Sequence, residues 1–231
     1  MSVSGIGYTD TGVLGSAIYF SSNEASGTAQ KGDLSIFQVC IGSASYTPNF
    51  LCDQRVLASK YNIYGAATML TVFVSHVTDA EAKIYAWFPG ASFSTIMGSS
   101  QTFRSSLGGF KVHAALDDYV ESAADNEYVP QDPIDTPGSN AWSIASMLFY
   151  RQSGCSTTIL DVTDSQWESY NWSKEFSIWI QSIFASDVTG GISGEPYIAE
   201  NSGGLHKSLS NLWIVSFEET SDPPKRVITC S

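Results

Sequence analysis

The chain has 231 residues, and its 23 acidic side chains against 11 Lys plus Arg give a formal net charge of −12. Hydrophobic residues make up 43%, aromatics 13% and charged residues only 15%, which excludes an intrinsically disordered chain. The length suits one β-sandwich or barrel, able to bury roughly 70% of its unfolded surface without a disulfide or metal staple. The cations are scattered, the closest pair being Lys225–Arg226, which speaks against holding nucleic acid through a basic arm.

Residues 1–20 contain no Lys or Arg and are interrupted by Gly5, Gly7, Gly12 and Gly15, a pattern unlike a signal peptide. No apolar run approaches the ~20 residues of a membrane-spanning helix. Residues 13–20 read as an early extra strand. The first strong strand is 34–41 (LSIFQVCI). A short helix is expected at 53–59. Strands follow at 66–77 (AATMLTVFVSHV) and, after Thr78-Asp79-Ala80-Glu81, at 82–88 (AKIYAWF), where Pro89-Gly90 ends it. Residues 109–116 (GFKVHAAL) alternate, with Phe110, Val112, Ala114 and Leu116 on one face.

The stretch 117–141 is acidic, holding Asp117, Asp118, Glu121, Asp125, Glu127, Asp132 and Asp135 with Pro130, Pro133 and Pro137. It reads as a solvated surface loop, with a calcium site or an acidic interface as sharper alternatives. No EF-hand spacing is present. Further strands are expected at 142–151, 157–162, 175–184 and 209–217. These are eight principal strands without helical crossovers, which excludes a parallel α/β fold. The expected fold is all-β: an eight-stranded antiparallel jelly-roll β-sandwich with long loops and at most short helices. The expected division is an arm over 1–33, the jelly roll over 34–217 and a tail over 218–231.

Several strands are apolar on both faces. Phe37, Val39 and Ile41 alternate with Leu34, Ile36 and Cys40; Ile84 and Phe88 alternate with Tyr85 and Trp87; Trp213, Val215 and Phe217 alternate with Leu212 and Ile214. A sandwich alone in water shows one polar face per strand. Both faces of these strands are therefore expected to be covered by loops, another sheet or other subunits.

Signals of catalysis are weak. Gly191-Ile192-Ser193-Gly194-Glu195 misses the nucleophile elbow by position, and no HExxH, Walker or dinucleotide motif occurs. His76, His113 and His206 have no second ligand at metal spacing. His76 and His113 read as structural; His206, in a Gly-rich loop, has no nucleophile marked for it. Cys40, Cys52, Cys155 and Cys230 lack a CxxC pair and read as free thiols, with a disulfide as the alternative. Asp161, Glu168 and Glu175 flank Trp167, Trp172 and Trp179, the raw material of a two-carboxylate glycosidase or, with Trp142, of a sugar-stacking groove. The plainer reading packs Trp167, Tyr170 and Trp172 at a loop–core boundary. The sequon at Asn171-Trp172-Ser173 reads as unused. No catalytic residue, cofactor site or metal site is assigned, and a non-enzymatic role is expected.

Residues 32–91 carry a resemblance. Gly32-Asp33-Leu34 opens a strand, Pro48 with Phe50-Leu51 follows, then Tyr61-Asn62-Ile63-Tyr64-Gly65, a long apolar strand over 69–77, and a strand over 83–88 before Pro89-Gly90. In order and spacing this resembles the first half of the jelly-roll capsid proteins of picornavirus-like and calicivirus-like RNA viruses, over roughly a quarter of the chain. The resemblance implies a coat protein that assembles, alone or with sister coat proteins, into an icosahedral shell around an RNA genome. It implies other capsid chains as partners, weak inner-surface contacts to genomic RNA, a host receptor, and location in the virion and in the host cytoplasm during assembly. The alternative is a carbohydrate-binding β-sandwich, such as a lectin or host-attachment protein. A two-carboxylate hydrolase is the third reading.

Overall fold

The computed structural model describes residues 3–22, 29–41, 46–63, 68–92, 94–122, 141–151, 156–161, 167–175, 178–185, 197–202, 208–219 and 221, with side-chain detail falling almost wholly within 6–111. Among these residues there are fifteen strands and no helix. In chain order they are β1 (Val3–Gly15), β2 (Ala17–Ser21), β3 (Leu34–Ile41), β4 (Asn49–Cys52), β5 (Arg55–Ile63), β6 (Thr68–Ser75), β7 (Lys83–Trp87) and β8 (Ser94–Ser105). They continue with β9 (Phe110–Ser122), β10 (Ala141–Arg151), β11 (Ser156–Asp161), β12 (Trp167–Glu175), β13 (Ile178–Ala185), β14 (Tyr197–Ser202) and β15 (Ser208–Glu219).

The first eight strands form a five-stranded sheet, β1-β8-β3-β6-β5, and a three-stranded sheet, β2-β7-β4. All pairings are antiparallel. The two sheets close on one apolar core. Phe37, Val39 and Ile41 of β3, Leu70, Val72 and Val74 of β6 and Ile96 of β8 meet Ile18 and Phe20 of β2 and Ile84 and Ala86 of β7. Each such large side chain, fully buried, stabilises by roughly 1.5–3 kcal/mol. Phe20 and Phe37 meet edge to face at 5.4 Å. Gly98 makes room for that pair, because a Cβ there would come within 2.5 Å of the Phe20 ring.

An eight-strand sandwich therefore exists, but only β3, β6 and β7 of its strands are among the eight principal ones expected from sequence, and it is complete by Ser105. The expected helix at 53–59 is instead a corner followed by β5. Asp53 and Gln54 hold the corner: Lys83 N–H donates to Asp53 Oδ1 at 2.7 Å, Val77 N–H donates to Gln54 Oε1 at 2.9 Å, and Gln54 Nε2 donates to Thr78 at 3.0 Å. The segment 13–20 is broken at Ser16, where the chain passes from the five-stranded to the three-stranded sheet; the Ser16 carbonyl accepts from Phe88 N–H at 2.8 Å. Residues 1–33, read as an arm, carry β1, paired with β8 except for a bulge at Ile6, and β2, paired along its length with β7.

The later strands form a second five-stranded sheet, β9-β15-β10-β13-β12, and a two-stranded one, β11-β14. This repeats the first order strand for strand: β9, β15, β10, β13 and β12 stand where β1, β8, β3, β6 and β5 stand, and β11-β14 stands where β4-β7 stands. Among the described residues no strand stands where β2 stands. β1 lies against β12 and β5 against β9, the exchange expected if a two-fold axis relates the halves. Asp117, Asp118 and Glu121 belong to β9, so the acidic stretch begins in a strand rather than a loop.

β9, through Phe110 at its start, reaches the other face of the first five-stranded sheet. That face holds Leu34, Ile36, Phe73 and Phe103 with Phe110, and one row across it is polar: Ser99, Gln38 and Thr71, aligned in register and all buried. A one-residue slip of β3 would push Gln38 into the apolar core on the opposite side, so this row fixes the register. β3 and β6 are accordingly buried at every position. The expectation of two covered faces holds for β3, and the side chains of 209–217 lie outside those described. It fails for β7, whose Lys83 and Tyr85 are exposed.

Candidate functional site

Three constellations stand out. The first is wholly buried. Ser35 Oγ lies 2.7 Å from His76 Nε2 and 2.7 Å from Thr102 Oγ1. His76 Nδ1–H donates to the Ala80 carbonyl at 2.9 Å, since a carbonyl can only accept. A serine, a histidine and an orienting acceptor resemble a nucleophile and its base. But Ser35 is 0% and His76 1% exposed, so no reactant reaches the hydroxyl. The network ties β3, β8 and the turn after β6 together, as the sequence reading of His76 as structural expects.

The second is an ion pair at the start of β3. Arg104 Nε donates to Asp33 Oδ1 at 2.9 Å and its Nη2 donates to Oδ2 at 2.8 Å, a fork that also lifts the Arg104 pKa through hydrogen bonding to Asp33. Gln30 N–H donates to Asp33 Oδ2 at 2.8 Å. The Asp33 backbone accepts from His76 N–H, and Gly32 N–H donates back to the His76 carbonyl. Gly32 sits at φ +96° against the Gly108 carbonyl. This clamp is structural too: its carboxylate is closed off from solvent.

The third faces water. On β2, β7 and β4 side chains alternate in and out. The inward set (Ile18, Phe20, Ile84, Ala86, with Phe50 and Cys52 half-buried) makes the core. The outward set brings Tyr19, Tyr85 and Leu51 into one row, because Tyr19 pairs with Tyr85 and Tyr85 with Leu51. They are 62%, 40% and 65% exposed. In the next row Trp87 stands between Ala17 and Asn49, and its ring stacks on Tyr85 at 5.3 Å and 28°. Ser21 and Lys83 border the other side. The result is an aromatic and aliphatic patch on the outer face of the three-stranded sheet, whereas β3 and β6 are buried on both faces.

No protein-family model, curated protein or solved structure matches the chain. The reading of the surface therefore rests on its own chemistry.

The residues picked out from sequence fall elsewhere. Glu168 and Glu175 lie seven positions apart on β12, about 23 Å of strand at ~3.3 Å per residue. Glycosidase carboxyls stand roughly 5–9.5 Å apart, so these two do not form such a pair. Asp161 ends β11, in another sheet. Trp167 and Trp172 are on β12 and Trp142 on β10, two strands away. His113 is the extra residue of a bulge in β9, since Val112 and Ala114 pair with the adjacent Phe217 and Ser216. His206, Cys155, Cys230 and most of the acidic stretch lie outside the described residues. Among the described residues no three His, Cys, Asp or Glu side chains converge as a metal site would require.

Cys40 and Cys52 are free thiols, and the structure separates them. Burial between the sheets pushes the Cys40 thiol up to about 12, whereas Cys52 is half-buried at the end of β4, its pKa raised by desolvation. At pH 8 only about one Cys40 in ten thousand is thiolate. Iodoacetamide on the native chain at pH 8 is expected to alkylate Cys52 and leave Cys40 intact until denaturant is added, read by peptide mass mapping. Equal labelling of the two in the native state would contradict the burial of Cys40.

Proposed function

We propose that this chain is a structural shell protein of the jelly-roll coat type, which self-associates through the outer face of its three-stranded sheet. The observation that carries the proposal is the row Tyr19–Tyr85–Leu51 with Trp87 beside it. Aromatic side chains exposed together on a rigid sheet lose little conformational entropy on docking and dominate the centres of protein interfaces. The strand order supports the fold part of the reading. In a jelly roll of eight strands numbered in sequence, the sheets run 1-8-3-6 and 2-7-4-5. Here β1-β8-β3-β6 and β2-β7-β4 follow that order and β5 alone has moved, from beside β4 to beside β6. We read the second half as another roll of the same winding. That replaces one roll over 34–217 with two in tandem.

The coat-protein reading, with picornavirus-like and calicivirus-like shells as the model, rests on the resemblance over 32–91 and on this winding. Its partners would be further coat chains. With a net charge of −12, contacts to an RNA genome would be local and weak.

Tyr85→Ala combined with Leu51→Asp tests the interface. A desolvated, unpaired carboxylate opposes association, while both positions are solvent-facing and leave the core intact. The variant is expected to keep its circular dichroism and lose the multi-subunit species formed by the parent chain. Assembly equal to the parent's would mean another surface makes the contacts.

One observation favours a second reading, carbohydrate binding: the Tyr85–Trp87 stack is bordered by Asn49, Ser21 and Lys83, an aromatic platform with polar groups at its rim. A glycan array discriminates. Binding lost on Trp87→Ala would favour the lectin-type reading, and no binding would remove it.

A further inference from the structure

The outer face of the three-stranded sheet has two unlike ends. Among the outward positions of β2, β7 and β4 the only charged side chain is Lys83. A chain of net charge −12 thus turns no carboxylate outward from these strands. Just past the Lys83 end the charge is negative. Asp53 follows β4, its N–H donating to the Lys83 carbonyl at 3.3 Å and its Oδ1 accepting from Lys83 N–H at 2.7 Å. Asp79 and Glu81 stand in the segment that leads into β7. The Trp87 end differs. The described residues that adjoin it, 14–17, 46–49 and 88–92, contain no Asp, Glu, Lys or Arg, and the indole stacks on Tyr85.

Tyr85 lies midway between those ends. It sits on the central strand, flanked by Tyr19 and Leu51 in its own row. Lys83 and Trp87 lie on either side of it along β7, each about 7 Å away. Two copies of one patch that dock face to face are related by a two-fold axis lying in the contact plane. With the strands of the two sheets aligned, an axis through Tyr85 runs either along β7 or across it. An axis along β7 sets Lys83 against Lys83 and brings the Asp53, Asp79 and Glu81 ends of two acidic chains together. An axis across the strands exchanges the ends. Lys83 of each copy then meets Trp87 of the other, and each carboxylate-bearing end meets an uncharged one.

We propose that this face docks on a second copy of the chain about a two-fold axis that crosses β2, β7 and β4 at Tyr85, with Lys83 of each copy on the Trp87 ring of the other. This rests on the self-association reading and adds its geometry. Indole is the best aromatic acceptor of an ammonium, and like charges facing each other across an interface cost enough to disfavour the other axis. Lys83 is thereby the residue that sets the orientation. Tyr19, Tyr85 and Leu51, which lie on the axis, meet their own counterparts and form the apolar centre.

Charge exchange on the full chain, read by sedimentation velocity over a concentration series, tests the axis. Trp87→Lys sets two ammonium groups against each other and is expected to weaken association about tenfold or more. Lys83→Glu added to Trp87→Lys is expected to restore association to within about threefold of the parent, because the docked ends then carry opposite charges. Net charge alone predicts the reverse order, since Lys83→Glu makes an acidic chain more acidic. Both positions lie on the outer face, and circular dichroism of each variant checks that the fold is kept. If the parent associates but the double variant associates no better than Trp87→Lys, the axis across the strands is overturned while self-association stands, because an axis along β7 sets like charges together at both ends. If the parent stays monomeric at every concentration, the self-association reading falls and the axis with it.

Discussion

Arg104→Ala is expected to destabilise the chain by about 3 kcal/mol, the low end of what breaking a buried ion pair costs. The reason lies in which partner is left behind. Asp33 is 2% exposed and Arg104 28%, so removing the guanidinium strands the carboxylate away from solvent, with only the Gln30 N–H, at 2.8 Å, still donating to it. The partial exposure of Arg104 places the effect at the low end, because water can enter the vacated site. Arg104→Lys keeps the charge but cannot reproduce the two-point fork, so it should recover part of the loss and not all of it. Guanidinium unfolding of the three proteins reads this directly. A loss below about 1 kcal/mol for Arg104→Ala would place the pair among surface ion pairs of little consequence.

Gly32→Ala is expected to cost about 3 kcal/mol or more, from left-handed strain plus a backbone collision. Gly32 has φ +96°, and an added Cβ would lie 1.9 Å from the Gly108 carbonyl oxygen. Neither backbone yields easily, since Gly32 N–H is bonded to His76 and Gly108 N–H to Ser105. Gly108 provides the comparison: its φ is +86°, but a Cβ there meets nothing within 4 Å. Gly108→Ala should therefore show the conformational strain alone, about 1–2 kcal/mol. If the two substitutions cost the same, the close approach of the two loops is not as described.

Both substitutions act where β3 begins, and β3 is the element most legible from sequence. Residues 34–41 read as a strand and are one, with the same bounds. β6, β7, β10 and β15 were also readable from apolar runs, trimmed or extended by one or two residues at their ends. The strands that escaped have physical reasons for doing so. β8 reads STIMGSSQTFRS, and Ser99, Ser100, Gln101 and Thr102 are all buried in it; polar groups between two sheets imitate a loop's composition. β1 is rich in Gly and Thr. β5 passed for a helix because a bulge between Val56 and Ala58 breaks the period of two on which strand recognition depends.

The surface patch was half visible. Tyr85 and Trp87 showed as a second apolar face on the strand at 82–88. Tyr19 and Leu51 carried no signal, because only the registers of β2 with β7 and β7 with β4 bring residues 34 and 66 positions away into line with Tyr85. No local spacing encodes such a row. Likewise the buried Ser35–His76–Thr102 network joins residues from β3, β8 and the turn after β6.

Self-association through the three-stranded sheet is tested most directly by sedimentation velocity of the native chain over a concentration series, paired with negative-stain microscopy of the same samples. The expected result is a concentration-dependent, multi-subunit species, resolved as closed particles or regular assemblies, that collapses when Tyr85→Ala and Leu51→Asp are introduced. A single monomeric boundary at every concentration, with no particles, would contradict it.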